Sequence, residues 1–151
     1  MQFKFIDPEG PEYETECMLR WESLAKPLGL PPDAELIAQD EKSMHMIAVE
    51  KKKIIGCVCF LAHNASEGEI FHMAVSEDYQ GRGFGRKLIH AMEQALYEKG
   101  FRQMKVFAGS DAEGFYKKMG YHPEEEFIKR NGAQCRLMKK NITHVQDGSG
   151  K

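Results

Sequence analysis

Apolar and polar positions alternate weakly from Phe3 to Ile6 and then meet Asp7-Pro8-Glu9-Gly10-Pro11, a cluster that forces a turn, so the chain opens on a short strand. The period then changes. Between Glu12 and Leu28 the apolar residues Cys17, Met18, Trp21, Leu24, Ala25 and Leu28 recur at helical spacing, and Pro27 with Gly29, Pro31 and Pro32 closes the segment. Met44 to Val49 and Ile54 to Ala62 read as two strands joined by the charged stretch Glu50 to Lys53, a hairpin with a solvated tip. The second run is apolar on both faces, as a strand covered on both sides must be. Glu69 to Val75 continues in strand period, with Glu69, Phe71, Met73 and Val75 on one face and Ile70, His72 and Ala74 on the other.

From Gly85 to Lys99 the set Leu88, Ile89, Met92, Ala95 and Leu96 draws a helical stripe, and Gly100 is placed to cap it. Met104 to Ala108 is a further strand. Ser110 and Glu113 match a capping box opening a short helix that carries Ala112, Phe115, Tyr116 and Met119. Tyr121 to Phe127 and Ala133 to Lys140 predict a last antiparallel pair, and the polar tail is expected to be loose. The reading is one domain over 1–142 with a flexible segment over 143–151, in the α/β (α+β) class.

Composition supports a globular chain and removes some partners. With 151 residues, 42% hydrophobic and 29% charged, the chain is long enough to bury a core. A formal net charge of -2, with basic residues spread along the length, gives no footprint for nucleic acid or an anionic membrane. No window is long and apolar enough for a membrane span, and the N-terminus lacks a secretory pattern, so the expected location is the cytoplasm. Of the four cysteines, Cys57 and Cys59 share one face of an apolar strand and no second close pair exists, so packed, reduced thiols are expected and no metal site.

The chemistry concentrates in Gln80-Gly81-Arg82-Gly83-Phe84-Gly85-Arg86, between a strand and the strongest helix. Glycines at alternate positions let the backbone turn sharply, and the helix that follows offers unpaired N–H groups and the positive end of its dipole. That is a phosphate cradle. Arg82 and Arg86 add charge suited to a pyrophosphate. The spacing fits neither a dinucleotide fingerprint nor a Walker loop, since Gly81, Gly83 and Gly85 give G-x-G-x-G and Gly85-Arg86-Lys87-Leu88 lacks the required Lys and Ser or Thr.

Gln80, Gly83 and Gly85 match the signature of the GCN5-related N-acetyltransferase (GNAT) superfamily, which this sequence resembles. Met73-Ala74-Val75 precedes the signature at the family's distance, and Ala112 with Phe115-Tyr116-Lys117-Lys118-Met119-Gly120-Tyr121 is similar to the family's closing helix. Leu19-Arg20-Trp21 with Pro27-Leu28-Gly29-Leu30-Pro31 looks like a subgroup of these proteins. The resemblance implies a mixed, mostly antiparallel sheet of six or seven strands flanked by about four helices, with acetyl-coenzyme A as cosubstrate and no metal. It implies that backbone groups of Met73, Ala74 and Val75 pair with the pantetheine arm, and that Gly81 to Arg86, including Phe84, hold the pyrophosphate. The family's usual asparagine is replaced by Gly109, and Met104 stands where some ribosomal-protein acetylating relatives carry a glutamate.

The reaction sets its own demands. An alkyl ammonium titrates near ~10.4 and must lose a proton before it attacks a thioester, so a carboxylate or imidazole must accept it, directly or through water. Glu69 is the first candidate, on its likeness to the family's catalytic glutamate, and His72 the competitor. The departing thiolate, whose conjugate acid titrates near ~8.5, calls for a hydroxyl donor. Tyr116 matches the family's tyrosine in that role. The expected activity is direct acetyl transfer to a primary amine of a small molecule or peptide, the alternative being a coenzyme-binding sensor or assembly protein with weak turnover. Trp21, Glu22 and Phe127 are candidates for the acceptor side, and a homodimer through the last strands is plausible on edge-strand grounds.

Overall fold

A computed structural model describes residues 1–29, 40–130 and 132–143. The expected residues Leu30, Pro31 and Pro32 and the tail from His144 onward lie outside them. Seven strands form one sheet: β1 (Gln2–Ile6), β2 (Met44–Glu50), β3 (Lys53–Ala62), β4 (Glu67–Val75), β5 (Gln103–Gly109), β6 (His122–Arg130) and β7 (Ala133–Asn141). Their order is β1-β2-β3-β4-β5-β7-β6. The β1–β2, β2–β3, β5–β7 and β6–β7 pairs are antiparallel, while β4 and β5 run parallel, with Glu69 opposite Lys105. Three α-helices accompany the sheet among the described residues: α1 (Tyr13–Arg20), α2 (Phe84–Glu98) and α3 (Glu113–Lys118). The fold class matches the expectation, with one α-helix fewer than the four expected.

The chain divides into two compact units, Met1–Leu61 with Phe71–Met92, and Ala62–Ile70 with Glu93–Lys151. In the first, Leu19, Ile47, Cys57 and Ala74 make a buried cluster, with Ile6, Leu24, Val49 and Ile54 packed on it. In the second, Tyr121 donates to Glu93 Oε2 at 2.7 Å, and Lys140 Nζ bonds Glu93 Oε1 at 2.9 Å and the Met119 carbonyl at 2.8 Å. A buried carboxylate is thereby paired, as burial requires.

Three local expectations are corrected. The segment from Tyr13 to Leu28 is not one regular helix: after α1 it widens into a π-helical turn over Trp21–Ala25 and tightens to 3-10 over Lys26–Leu28, ending on Gly29 at φ 74°. Its inward face is only partly the expected apolar stripe, which contributes Ala25 and Leu24. Glu16, Leu19 and Arg20 are buried, at the i, i+3, i+4 spacing of one helix face, whereas Met18 is 55% exposed. The capping box at Ser110 does not form: Ala112 is the N-cap without a side-chain bond, and Glu113 faces Arg136 at 3.5 Å. The hairpin tip is tighter than expected, with Lys51 and Lys52 at φ 49° and 67°, the two left-handed residues that a two-residue turn requires.

Candidate active site

Each candidate is placed within its own unit. In the first, the bend after β4 passes through a short 3-10 turn, Glu77–Tyr79, into α2. Gln80 Nε2 donates to the Val75 carbonyl at 2.9 Å and ties the bend to the end of β4. Gly81 and Gly83 sit at φ 74° and 85°, a region that costs an L-residue ~1–2 kcal/mol, so glycine is needed for backbone conformation at both. A Cβ built on either would meet nothing within 4 Å among the described residues, which leave this side of the bend open to a ligand. Gly83 accepts the bond from Lys87 N–H at 3.2 Å, which leaves the first-turn amides of Phe84, Gly85 and Arg86 without the carbonyl partners that later helix amides have. Gly85 lies inside the first turn of α2. Arg82 stacks its guanidinium on Tyr79 and Phe84, 4.9 and 5.3 Å from the ring centroids. Open glycines and undercommitted amides at the positive end of a 15-residue helix fit a pyrophosphate.

β4 departs from regular alternation at one residue. His72 has φ 51°, rare for a non-glycine in a strand and worth ~1–3 kcal/mol of strain. Its carbonyl accepts from Cys57 Sγ at 3.5 Å, its ring lies 4.7 Å from that of Phe71, and its Nδ1 is 2.9 Å from Arg20 Nη2.

Behind His72 lies a buried charged cluster that sequence reading missed. Arg20 Nη1 bonds Glu16 Oε2 at 2.9 Å and Asp40 Oδ2 at 3.0 Å, and Nη2 bonds Asp40 Oδ1 at 3.2 Å. Tyr13 donates to Asp40 Oδ2. His45 Nδ1 faces Glu16 at 2.9 Å and its Nε2 faces the Asp40 carbonyl at 3.0 Å. The nearest partner of each ring nitrogen is an acceptor, with Cys59 Sγ farther from Nδ1 at 3.4 Å, so both ring nitrogens carry hydrogen and the ring is an imidazolium. Burial opposes this charge, but the hydrogen bonds to Glu16 and the Asp40 carbonyl outweigh it and raise the pKa of His45 above its ordinary value. Two carboxylates thus face one guanidinium and one imidazolium, and the cluster is neutral.

Two sets of ligand atoms here lie within 4.8 Å of one another, Glu16/His45/Cys59 and Asp40/Cys59/His72. A divalent ion would have to displace Arg20 or deprotonate His45, so the chemistry of the donor set favours the ion pairs already formed. All four cysteines are free thiols, and burial pushes Cys57 and Cys59 well above the ordinary thiol range, against a nucleophilic role. A cavity of about 720 Å³ in this unit is lined by Leu19, Glu22, Ser23, Lys26, Ser76 and Gln80, among others.

The second unit carries the other candidates. Glu69 on β4 receives Arg130 Nη2 at 3.0 Å and lies 3.8 Å from His63 Nε2, its side chain 12% exposed. Tyr116 on α3 is buried, edge-to-face with Phe115 and Tyr121 at 5.0 and 5.5 Å, and burial holds its phenol above the ordinary value. Phe127, 40% exposed, carries Arg136 over its ring at 4.3 Å.

A family model described as "Acetyltransferase (GNAT) domain" matches residues 41–123. The chain is 30% identical over 80 residues to GCN5-related N-acetyltransferase 2, chloroplastic, of Arabidopsis thaliana; the match covers 53% of this chain but only 31% of that protein. It is 26% identical over 106 residues to an uncharacterized acetyltransferase of Streptococcus pyogenes serotype M1, covering 70% and 75% of the two chains. Among solved structures it is similar to a GNAT family acetyltransferase of Elizabethkingia anophelis with acetyl-CoA bound, at TM-score 0.72 and 21% identity over 93% of this chain and 97% of that one. It is also similar to Tetrahymena GCN5, at TM-score 0.78 and 22% identity over 97% and 99%. At these identities the structural likeness concerns the fold.

Proposed function

The chain belongs to the GNAT acetyltransferase family, and from that premise we propose that it moves the acetyl group of acetyl-coenzyme A directly onto a primary amine of a small molecule or peptide. The observation that carries this reading is the bend Gln80–Arg86, where open glycines meet the undercommitted amides of α2. Those amides and Arg86 hold the pyrophosphate, while the Met73 to Val75 backbone aligns the pantetheine arm. The bound cosubstrate supplies an activated thioester carbonyl.

Glu69 accepts the proton that the ammonium must shed, directly or through a water, and the freed amine nitrogen bonds to the carbonyl carbon. As the carbon–sulfur bond breaks, Tyr116 donates a hydrogen bond to the developing thiolate. Burial holds that phenol above its usual ~10, so full transfer to a thiol of ~8.5 runs uphill and donation is the role it can fill. The nitrogen loses its second proton as the amide forms, and the departing thiolate takes one up from solvent. The amide and coenzyme A thiol leave, and the proton held by Glu69 returns to water as the one net proton released.

Release of coenzyme A thiol from acetyl-coenzyme A, tested with a polyamine, an aminoglycoside, free amino acids and peptide amines, decides this proposal. Tyr116→Phe should lower kcat by ~10²-fold while the KM for acetyl-coenzyme A stays nearly constant. Thiol release by the wild type with none of these amines, despite coenzyme binding, would favour the sensor reading. The chain is read as acting in the cytoplasm; no helix among the described residues is long and apolar enough to cross a membrane.

A further inference from the structure

We propose that Arg130 selects the acceptor: beside the Glu69 carboxylate, its guanidinium receives the carboxylate of a small zwitterionic amine, so that free α-amino acids are preferred over polyamines, aminoglycosides and peptide amines. This role rests on the proposed function, in which Glu69 accepts the ammonium's proton, and adds the class of acceptor to it.

An acceptor whose proton goes to Glu69 must bring its nitrogen within hydrogen-bond reach of that carboxylate, directly or across one water. Arg130 Nη2 lies 3.0 Å from Glu69 Oε2, so a nitrogen placed there has a guanidinium close by. Glu69 Oε1 is 3.8 Å from His63 Nε2, beyond hydrogen-bond length, which leaves its lone pairs to an ammonium or a bridging water.

Glu69 uses only part of the Arg130 fork. A guanidinium carries five N–H donors in one plane, and it pairs best with a carboxylate through two parallel bonds. Here one bond runs to one Glu69 oxygen, and among the described residues no other oxygen bonds the Arg130 side chain. The Phe107 ring, 5.4 Å from the guanidinium carbon, supports one face of it. Arg130 ends β6, the edge strand of the sheet, and its side chain is 46% exposed, so the unused donors meet solvent. Exposed ion pairs contribute little to stability, and the fold therefore gains little from this one. Arg130 also lies past residues 41–123, the part matched by the family model, so family membership alone does not supply it.

An α-amino acid carries its ammonium and its carboxylate on the same carbon. With the nitrogen at Glu69 Oε1, the carboxylate can take the open edge of Arg130, and each charge meets its opposite. A polyamine or an aminoglycoside would instead set further cations against the guanidinium, a repulsion that works against the wrong partner. A peptide amine has no carboxylate at that distance to offer.

Thiol release from acetyl-coenzyme A on matched acceptors reads the selection. Tryptophan with tryptamine, histidine with histamine and arginine with agmatine differ in the α-carboxylate alone, and the α-amide of each amino acid keeps the bulk without the charge. In at least one set kcat/KM should favour the amino acid by about 10- to 100-fold, the scale of a hydrogen bond between charged groups. Arg130→Gln should erase that preference, Arg130→Lys should keep part of it through charge without the fork, and Arg130→Glu should reverse it toward the amine. Losses or gains in Arg130→Gln that are equal for amino acid and amine would overturn the proposal, leaving Arg130 as a partner or a mask of Glu69 only. Glu69→Gln should lower kcat on every acceptor alike. A kcat unmoved by that variant would sink the base reading and this proposal with it, whereas a lowered kcat with no carboxylate preference in the wild type would sink this proposal alone.

Discussion

The bend at Gln80–Arg86 and the cluster around Arg20 belong to the same unit and handle charge in opposite ways. The bend leaves amides undercommitted at a helix end and keeps its glycines clear of the described residues, an arrangement that suits an anion from outside, as the proposed function requires. The cluster buries two carboxylates against two cations and completes itself. A site that must bind and release a substrate needs the first arrangement. A scaffold that must hold α1 against the sheet strands needs the second, because any exchangeable ligand in it would loosen the hold. The contrast predicts that damage to the cluster shows mainly as lost stability and altered histidine chemistry, and damage to the bend mainly as lost coenzyme affinity.

The largest effect should come from breaking the cluster. Arg20→Ala leaves Glu16 and Asp40 buried with only His45 to balance them, and removing one partner of a buried ion pair costs ~3–5 kcal/mol. Urea denaturation should show that loss as a lower midpoint at unchanged slope. A loss below about 1 kcal/mol, the scale of a solvent-exposed pair, would mean that water reaches the cluster and that the contrast with the bend is false.

A smaller effect should come from the bend. Gly83→Ala forces a Cβ onto a residue at φ 85°, a strain of ~1–2 kcal/mol to which no described neighbour adds, since none lies within 4 Å. Calorimetry should show weakened binding of coenzyme A, since a shift in φ at the helix N-cap misaims the Phe84 to Arg86 amides, while the urea midpoint falls far less than in Arg20→Ala. Unchanged affinity would argue that the phosphates bind elsewhere.

The two regions also differ in how far they could be read from the sequence. The bend is local: glycine conformation, helix start and spacing from β4 all fall within a few residues, so its shape was legible. The same holds for α2, and for the β2–β3 hairpin apart from its tight two-residue tip. The cluster draws on α1, the turn at Asp40, β2, β3 and β4, and its one local sign, Glu16 and Arg20 at i, i+4, reads as an ordinary surface pair. Met18 beside it looked like core and is exposed, because period alone cannot tell which of two adjacent helix faces a tertiary ion network will claim. The left-handed turn at His72 left no trace in an otherwise regular alternation. Ser110 and Glu113 had the right spacing for a cap, but Glu113 faces Arg136 and a contact made across the fold displaced the local one.

The finest test of the contrast is the pH dependence of stability. His45 is held as an imidazolium against burial by Glu16 and the Asp40 carbonyl, so its pKa is higher folded than unfolded. The folded state then binds the extra proton more tightly, and the stabilisation is complete below the unfolded value near ~6.5 and disappears as pH rises through the folded value. Urea midpoints taken from about pH 6 upward should therefore fall with pH in the wild type, while His45→Gln, which cannot take the proton, should be less stable throughout and flatter across that interval. The surface histidines are common to both proteins and cancel in the difference. Salt sharpens the same comparison: at ~1 M the Debye length shrinks to about 3 Å, so coenzyme affinity at the exposed bend should weaken while the slope owed to buried His45 persists. If salt erased the His45 slope while sparing coenzyme affinity, the assignment of the self-completed and the ligand-completed region would have to be exchanged.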